Sequence, residues 1–112
     1  MNTPELKMQA ACVKWLRNER PETRGLFFAV NNNSENKRKG AKHKTIGVTP
    51  GVSDTIFLWK GKAHLIELKT PTGKQSPDQK RWQKIVEDNG FNYYIVRSLD
   101  EFKTLINSIM GK

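Results

Sequence analysis

The sequence predicts an α/β fold: a small central mixed β-sheet flanked by helices, in the order αβββαβα. Three observations predict it. Residues 51–69, GVSDTIFLWKGKAHLIELK, read as two apolar strands joined by a tight turn. Two later segments, opened by Ser76 and Ser98, carry capped helical patterns. The strand between those helices follows a helical crossover, so it lies parallel to its neighbour.

Each element has its own signature. Residues 4–18, PELKMQAACVKWLRN, form the first helix, with Thr3 as N-cap and Pro4 at the first helical position. Its apolar stripe (Leu6, Met8, Ala10, Cys12, Val13, Leu16) is imperfect. LFFAV (26–30) is a short apolar run read as a buried strand. Residues 32–46 are polar, basic and aperiodic, and are read as a long mobile loop of the kind that is functional or disordered. The hairpin turn falls at Lys60–Gly61 and fits type I′. In the next helix Ser76 is the N-cap, Pro77 follows, and Gln79 completes a capping box. Trp82, Ile85 and Val86 are its apolar stripe, and Gly90 stops it. FNYYIVR (91–97) is the last strand. In the final helix (98–110), Leu99, Phe102, Leu105, Ile106 and Ile109 make one face.

The 112 residues suit a single domain, 1–112, with one modest core. No apolar run of membrane-spanning length occurs, and no signal-peptide pattern opens the chain. Cys12 is the one cysteine, so no internal disulfide forms, and no Cys/His spacing suggests zinc. An intracellular, cytoplasmic location is expected. The 20 Lys and Arg outnumber the 11 Asp and Glu, for a net charge of +9. That excess favours a polyanionic partner, with nucleic acid first. The loop brings Lys37, Arg38, Lys39, Lys42 and Lys44 together as candidate phosphate contacts, with Lys74, Lys80, Arg81 and Lys84 extending the basic rim. A solvated charge run is the competing reading.

Three charges sit inside the apolar hairpin: Asp54, Glu67 and Lys69. With the turn at 60–61, Asp54 stands opposite Glu67, and Glu67 and Lys69 share a face. Both hairpin faces are otherwise apolar, which implies a hairpin covered on both sides. Opposed carboxylates repel, so the pair needs a reason. One is a Mg²⁺ site, where one or two carboxylates join water and phosphate oxygens. The other is a salt-bridged cluster centred on Lys69.

Asp–x(12)–Glu–x–Lys on two adjacent strands resembles the PD-(D/E)xK nuclease superfamily. The run GVTPGVSDTIFLWKGKAHLIELKTPTGKQSPDQKRWQKIVEDNGFNYYIVRS is similar to the VRR-NUC (virus-type replication–repair nuclease) family. It carries Gly-x-x-Asp, Glu-x-Lys, Gly-x-Ser-x-x-Gln entering a helix, and Gly before the last strand. The resemblance is good over residues 46–98 and looser at both terminal helices. It implies a restriction-endonuclease-like core and catalytic roles for Asp54, Glu67, Lys69 and Gln79. It implies a Mg²⁺ site, with Mn²⁺ able to substitute, held by Asp54, Glu67 and the Leu68 carbonyl. Glu5 would reach the metal through water. Ser53 stands where the family's name-giving motif has proline.

Several of these residues also have plain explanations. Gln79 is accounted for by the capping box. Glu5 favours a helix N-terminus. His64 falls on the face away from Glu67, His43 in the basic loop, and Cys12 in the core. The resemblance implies a metal-dependent DNA endonuclease acting on branched DNA such as four-way (Holliday) junctions, in DNA repair, as a homodimer without a nucleotide cofactor. Trp15, Trp59 and Trp82 are the candidate aromatic interface contacts, with core burial the stronger reading for Trp59 and Trp82. The alternatives are a non-catalytic basic nucleic-acid-binding module, or a nuclease of linear duplex with sequence preference.

Overall fold

The hairpin turns where its sequence places it. Lys60 and Gly61 have φ of 52° and 80°. Two successive left-handed residues define the type I′ turn, whose twist matches the flanking strands. The turn fixes the register of the strands on either side, with Phe57 opposite His64 and Thr55 opposite Ile66.

The computed structural model describes residues 3–30 and 46–112. The order is α1 (Pro4–Glu19), β1 (Phe27–Ala29), β2 (Thr55–Trp59), β3 (Lys62–Leu68), α2 (Pro77–Asp88), β4 (Asn92–Val96) and α3 (Leu99–Met110), with a 3₁₀ turn at Pro21–Thr23. The sheet order is β1-β2-β3-β4. β2 runs antiparallel to β1 and β3, and β4 runs parallel to β3. This is the mixed sheet and the αβββαβα order that the sequence predicts. The basic loop, with its five cations and His43, falls outside the described residues apart from its end at Ile46.

The helices begin on the expected caps. Thr3 Oγ1 accepts from the Leu6 N–H, Ser76 Oγ from Gln79, and Ser98 Oγ from Glu101. The α2 capping box is complete, because Gln79 Oε1 also accepts from the Ser76 N–H. α2 ends at Gly90, φ 87°, where the Phe91 N–H donates back to the Val86 carbonyl.

The core lies on one face of the sheet. α1 contributes Cys12 and Leu16, and α3 contributes Phe102 and Ile106, packed on Phe57, Ile66, Leu68 and Val96. Phe27 meets Phe102 edge-on at 5.4 Å between centroids, adding an aromatic contact to the apolar burial. His64 is buried on this face, with its Nδ1 3.4 Å from the Tyr94 hydroxyl.

The opposite face is covered only in part, which corrects the expectation of a hairpin enclosed on both sides. α2 lies against this face but has no fully buried residue, and Ile85 in its apolar stripe is 58% exposed. Leu58 and Phe28 stay exposed beyond its reach. β1 is accordingly a half-exposed edge strand rather than a buried one. Among the described residues its three residues pair on one side only. Trp15, Trp59 and Trp82 are all half-buried.

Phe102→Ala should cost about 3–5 kcal/mol in urea denaturation, because it opens a cavity where both core-forming helices meet the sheet. Ile85→Ala should stay within about 0.5 kcal/mol, as expected of a side chain left largely in water.

Candidate active site

The site begins where β2 has not yet begun. Gly51, φ 83°, lies against the first turn of α2, and a side chain there would collide with the main chain of Asp78. Only glycine allows that approach. The buried Ser53 hydroxyl donates to the Thr55 carbonyl at 2.9 Å and stiffens the entry where the family motif has proline. Asp54 is then held at both ends. Its carbonyl accepts from the Val30 N–H at 2.8 Å. Its Oδ2 accepts from the Leu68 N–H at 2.8 Å. The carboxylate thus replaces a main-chain acceptor just past the last β2–β3 pair.

Glu67 is 1% exposed. Its residue parity on β3 turns it away from the apolar core and toward α2. Gln79 Nε2 donates to its Oε2 at 2.8 Å, and the Tyr93 hydroxyl donates to its Oε1 at 3.3 Å. The capping box decides which end of the Gln79 amide faces inward. Its oxygen is taken by the Ser76 N–H, so its NH₂ must meet Glu67. The cap and the contact with Glu67 are therefore made by one side chain. The Lys69 ammonium lies 3.7 Å from Glu67 Oε2 and is also buried.

Burial, followed by the Asp54 charge, pushes the Glu67 carboxyl up to about 8, and Lys69 offsets only part of this. A buried carboxylate beside a half-buried one is a donor set that suits a hard divalent cation. Beside it, Asp54, Gln79, Ser76, Gly51, Pro50 and Val30 help to line a cavity of about 300 Å³. The residues therefore fit a cation such as Mg²⁺.

The chain brings Asp54, Glu67, Lys69 and Gln79 together. Leu68 joins through its main chain, since its side chain is in the core. Glu5 sits apart. A side chain at Gly73 would meet its carboxylate at 3.6 Å, so Glu5 borders the turn after Lys69. Among the described residues no three acids, histidines or cysteines converge as a metal cluster. Lys74 is exposed on that same turn. Arg81 and Lys84 pair with Asp78 and Asp88 of their own helix. His64 keeps its place away from the site, its pKa lowered by burial and by Lys62. Cys12 is buried, its thiol pushed up to about 11 by desolvation.

Tyr93 and Gln75 were not legible as site residues. Nothing in a tyrosine on a strand signals a carboxylate partner, and the β3–β4 register that brings Tyr93 near Glu67 is not set by a turn. Arg97 was missed too. Its guanidinium donates to the Thr70 and Gly73 carbonyls and closes the turn after Lys69.

The family model of the VRR-NUC domain matches residues 3–100. This chain belongs to the VRR-NUC family. A solved structure described as a VRR_NUC domain protein superposes with a TM-score of 0.80 at 16% identity, covering 99% of this chain and 91% of that one. A second, described as a VRR_NUC domain, gives 0.61 at 20% identity, covering 89% and 95%. These likenesses establish the VRR-NUC nuclease-like fold. Comparison with the curated proteins gave no match. Membership carries a nuclease-type function, with DNA as its substrate class. No helix among the described residues is long and apolar enough to cross a membrane.

The raised Glu67 pKa has a direct consequence for the metal-free protein. Between about 4.5, its unperturbed value, and about 8, the folded chain keeps a proton that the unfolded chain has released. That stability is present in full below about 4.5 and is lost as pH rises through about 8. Thermal melts in EDTA should show wild type losing ground to Glu67→Gln across this window, with the gap levelling above it.

Proposed function

We propose that this protein is a Mg²⁺-dependent DNA endonuclease that hydrolyses phosphodiester bonds of branched DNA such as four-way junctions. Mn²⁺ would substitute for Mg²⁺. The observation that carries the reading is the buried Glu67 beside the half-buried Asp54, with Lys69 against it. A sheet gains nothing in stability from a buried carboxylate set next to a second one.

Asp54 and Glu67 would hold the cation, with the Leu68 carbonyl as a further oxygen donor. A divalent cation supplies Lewis acidity to the scissile phosphate and charge to meet the leaving oxygen. Lys69 would orient the attacking water or offset charge that develops on the phosphate oxygens. Gln79 fixes the Glu67 carboxylate from the helix side. Glu5 borders the turn that follows Lys69 and could act only through water. Histidine and serine nucleophiles are not needed.

Substrate choice follows from size and charge. The net charge of +9 gives sequence-independent attraction to phosphates. Lys74 on the turn after Lys69 would add phosphate contacts, and Lys37, Arg38, Lys39, Lys42 and Lys44 would add them from the basic loop. Phosphate contacts read shape rather than sequence, which favours junction recognition. A two-fold homodimer would present two sites for paired nicks. The protein would act in the cytoplasm.

The test compares a labelled four-way junction with matching linear duplex, each in Mg²⁺ or EDTA. Wild type should cut the junction only with Mg²⁺, and Lys69→Ala should lose on the order of 10²-fold or more in rate. Tight binding without cutting in either condition would make this a binding module. Preferential cutting of linear duplex at defined sequences would keep the nuclease and remove the junction.

A further inference from the structure

A chain of side-chain hydrogen bonds runs from the surface of α2 to Glu67, and its direction is fixed at the outer end. Gln83 Nε2 lies 3.3 Å from a Glu87 carboxylate oxygen. A carboxylate only accepts, so Gln83 turns its NH₂ outward and its oxygen inward. That oxygen accepts from Gln75 Nε2 at 2.9 Å. The other hydrogen of the same NH₂ goes to the Tyr93 hydroxyl oxygen, 3.2 Å away. The Tyr93 proton is then left to point at Glu67 Oε1, at 3.3 Å. Every donor in the chain has one partner it can serve, and the last is the buried carboxylate.

Glu67 is therefore gripped at both oxygens, by Tyr93 on Oε1 and by Gln79 on Oε2. Two donors on different oxygens fix the plane of a carboxylate as well as its position. Tyr93 is itself held. It is 8% exposed, and its ring meets Trp82 of α2 edge-on at 6.1 Å between centroids.

We propose that Tyr93 is a positioning residue for Glu67, oriented by Gln75, and that it sets how tightly the Asp54–Glu67 pair binds its divalent cation. The proposal rests on the metal site proposed above. Tyr93 touches neither the cation nor DNA. Its hydroxyl holds Glu67 in the orientation that converges with Asp54, so that binding a cation need not freeze a free carboxylate. Hydrogen-bond partners of metal-ligating carboxylates commonly carry this role, and their loss costs about 10–100-fold in affinity.

The experiment is Mn²⁺ titration by calorimetry on wild type, Tyr93→Phe, Gln75→Leu and the double variant, alongside cleavage at rising Mn²⁺. Phenylalanine keeps the Trp82 contact, so the fold is retained. Tyr93→Phe should weaken Mn²⁺ about 10-fold or more. Its cleavage should return toward the wild-type rate when Mn²⁺ is raised to match. Gln75→Leu should weaken binding by a smaller factor and add nothing in the Tyr93→Phe background, because it acts through that hydroxyl. Equal Mn²⁺ affinity in wild type and Tyr93→Phe would overturn the positioning role and leave the metal site standing. A full additive loss in the double variant would overturn the relay through Gln75. Wild type that binds no Mn²⁺ would overturn the metal site, and this role with it.

Discussion

Glu67 sits at 1% exposure beside a second carboxylate, and the site is arranged around that fact. An ionised carboxylate taken out of water has a cost of several kcal/mol unless charge and donors meet it. Among the described residues the donors are Gln79 and Tyr93, and the charge is the Lys69 ammonium at 3.7 Å. That ammonium by itself does not neutralise both acids. The shortfall appears as a proton held up to about pH 8. A site that holds a proton against neutral pH also has room in its electrostatics for a cation. Proton and cation compete for the same oxygens, so metal affinity should strengthen as pH rises.

The rest of the fold supplies rigidity to that pair. Asp54 is fixed because its side chain takes a main-chain donor, the Leu68 N–H, at the end of the ladder. Glu67 is fixed because α2 is nailed to the sheet by its first turn, where Gly51 allows main chain to lie against main chain. The same turn holds the capping box that aims Gln79 inward. α2 needs little apolar burial because these polar contacts locate it, which accounts for the exposure of Ile85. The core helices α1 and α3 serve the other face. Chemistry and packing thus occupy opposite sides of one four-stranded sheet.

Much of this could be read from the chain itself. Lys60–Gly61 specified the turn, the turn specified the register, and the register brought Asp54 to Glu67. Ser76 and Gln79 announced both a helix start and a site contact. These signals are local, acting over two to four residues, so they survive without the rest of the fold. The missed features are non-local. Tyr93 reaches Glu67 only through the parallel β3–β4 register, which a long crossover leaves open. The exposure of β1 and α2 depends on how far one helix extends over a sheet, and an apolar stripe does not encode that distance.

The most direct measurement is a crystal structure of the protein soaked in Mn²⁺, with anomalous scattering used to locate the ion. The account predicts one peak bridging Asp54 and Glu67, within about 2.3 Å of an oxygen from each. The Lys69 ammonium should stand clear of that position. A pair that stays closed around Lys69 at saturating Mn²⁺, with no peak between the carboxylates, would contradict it.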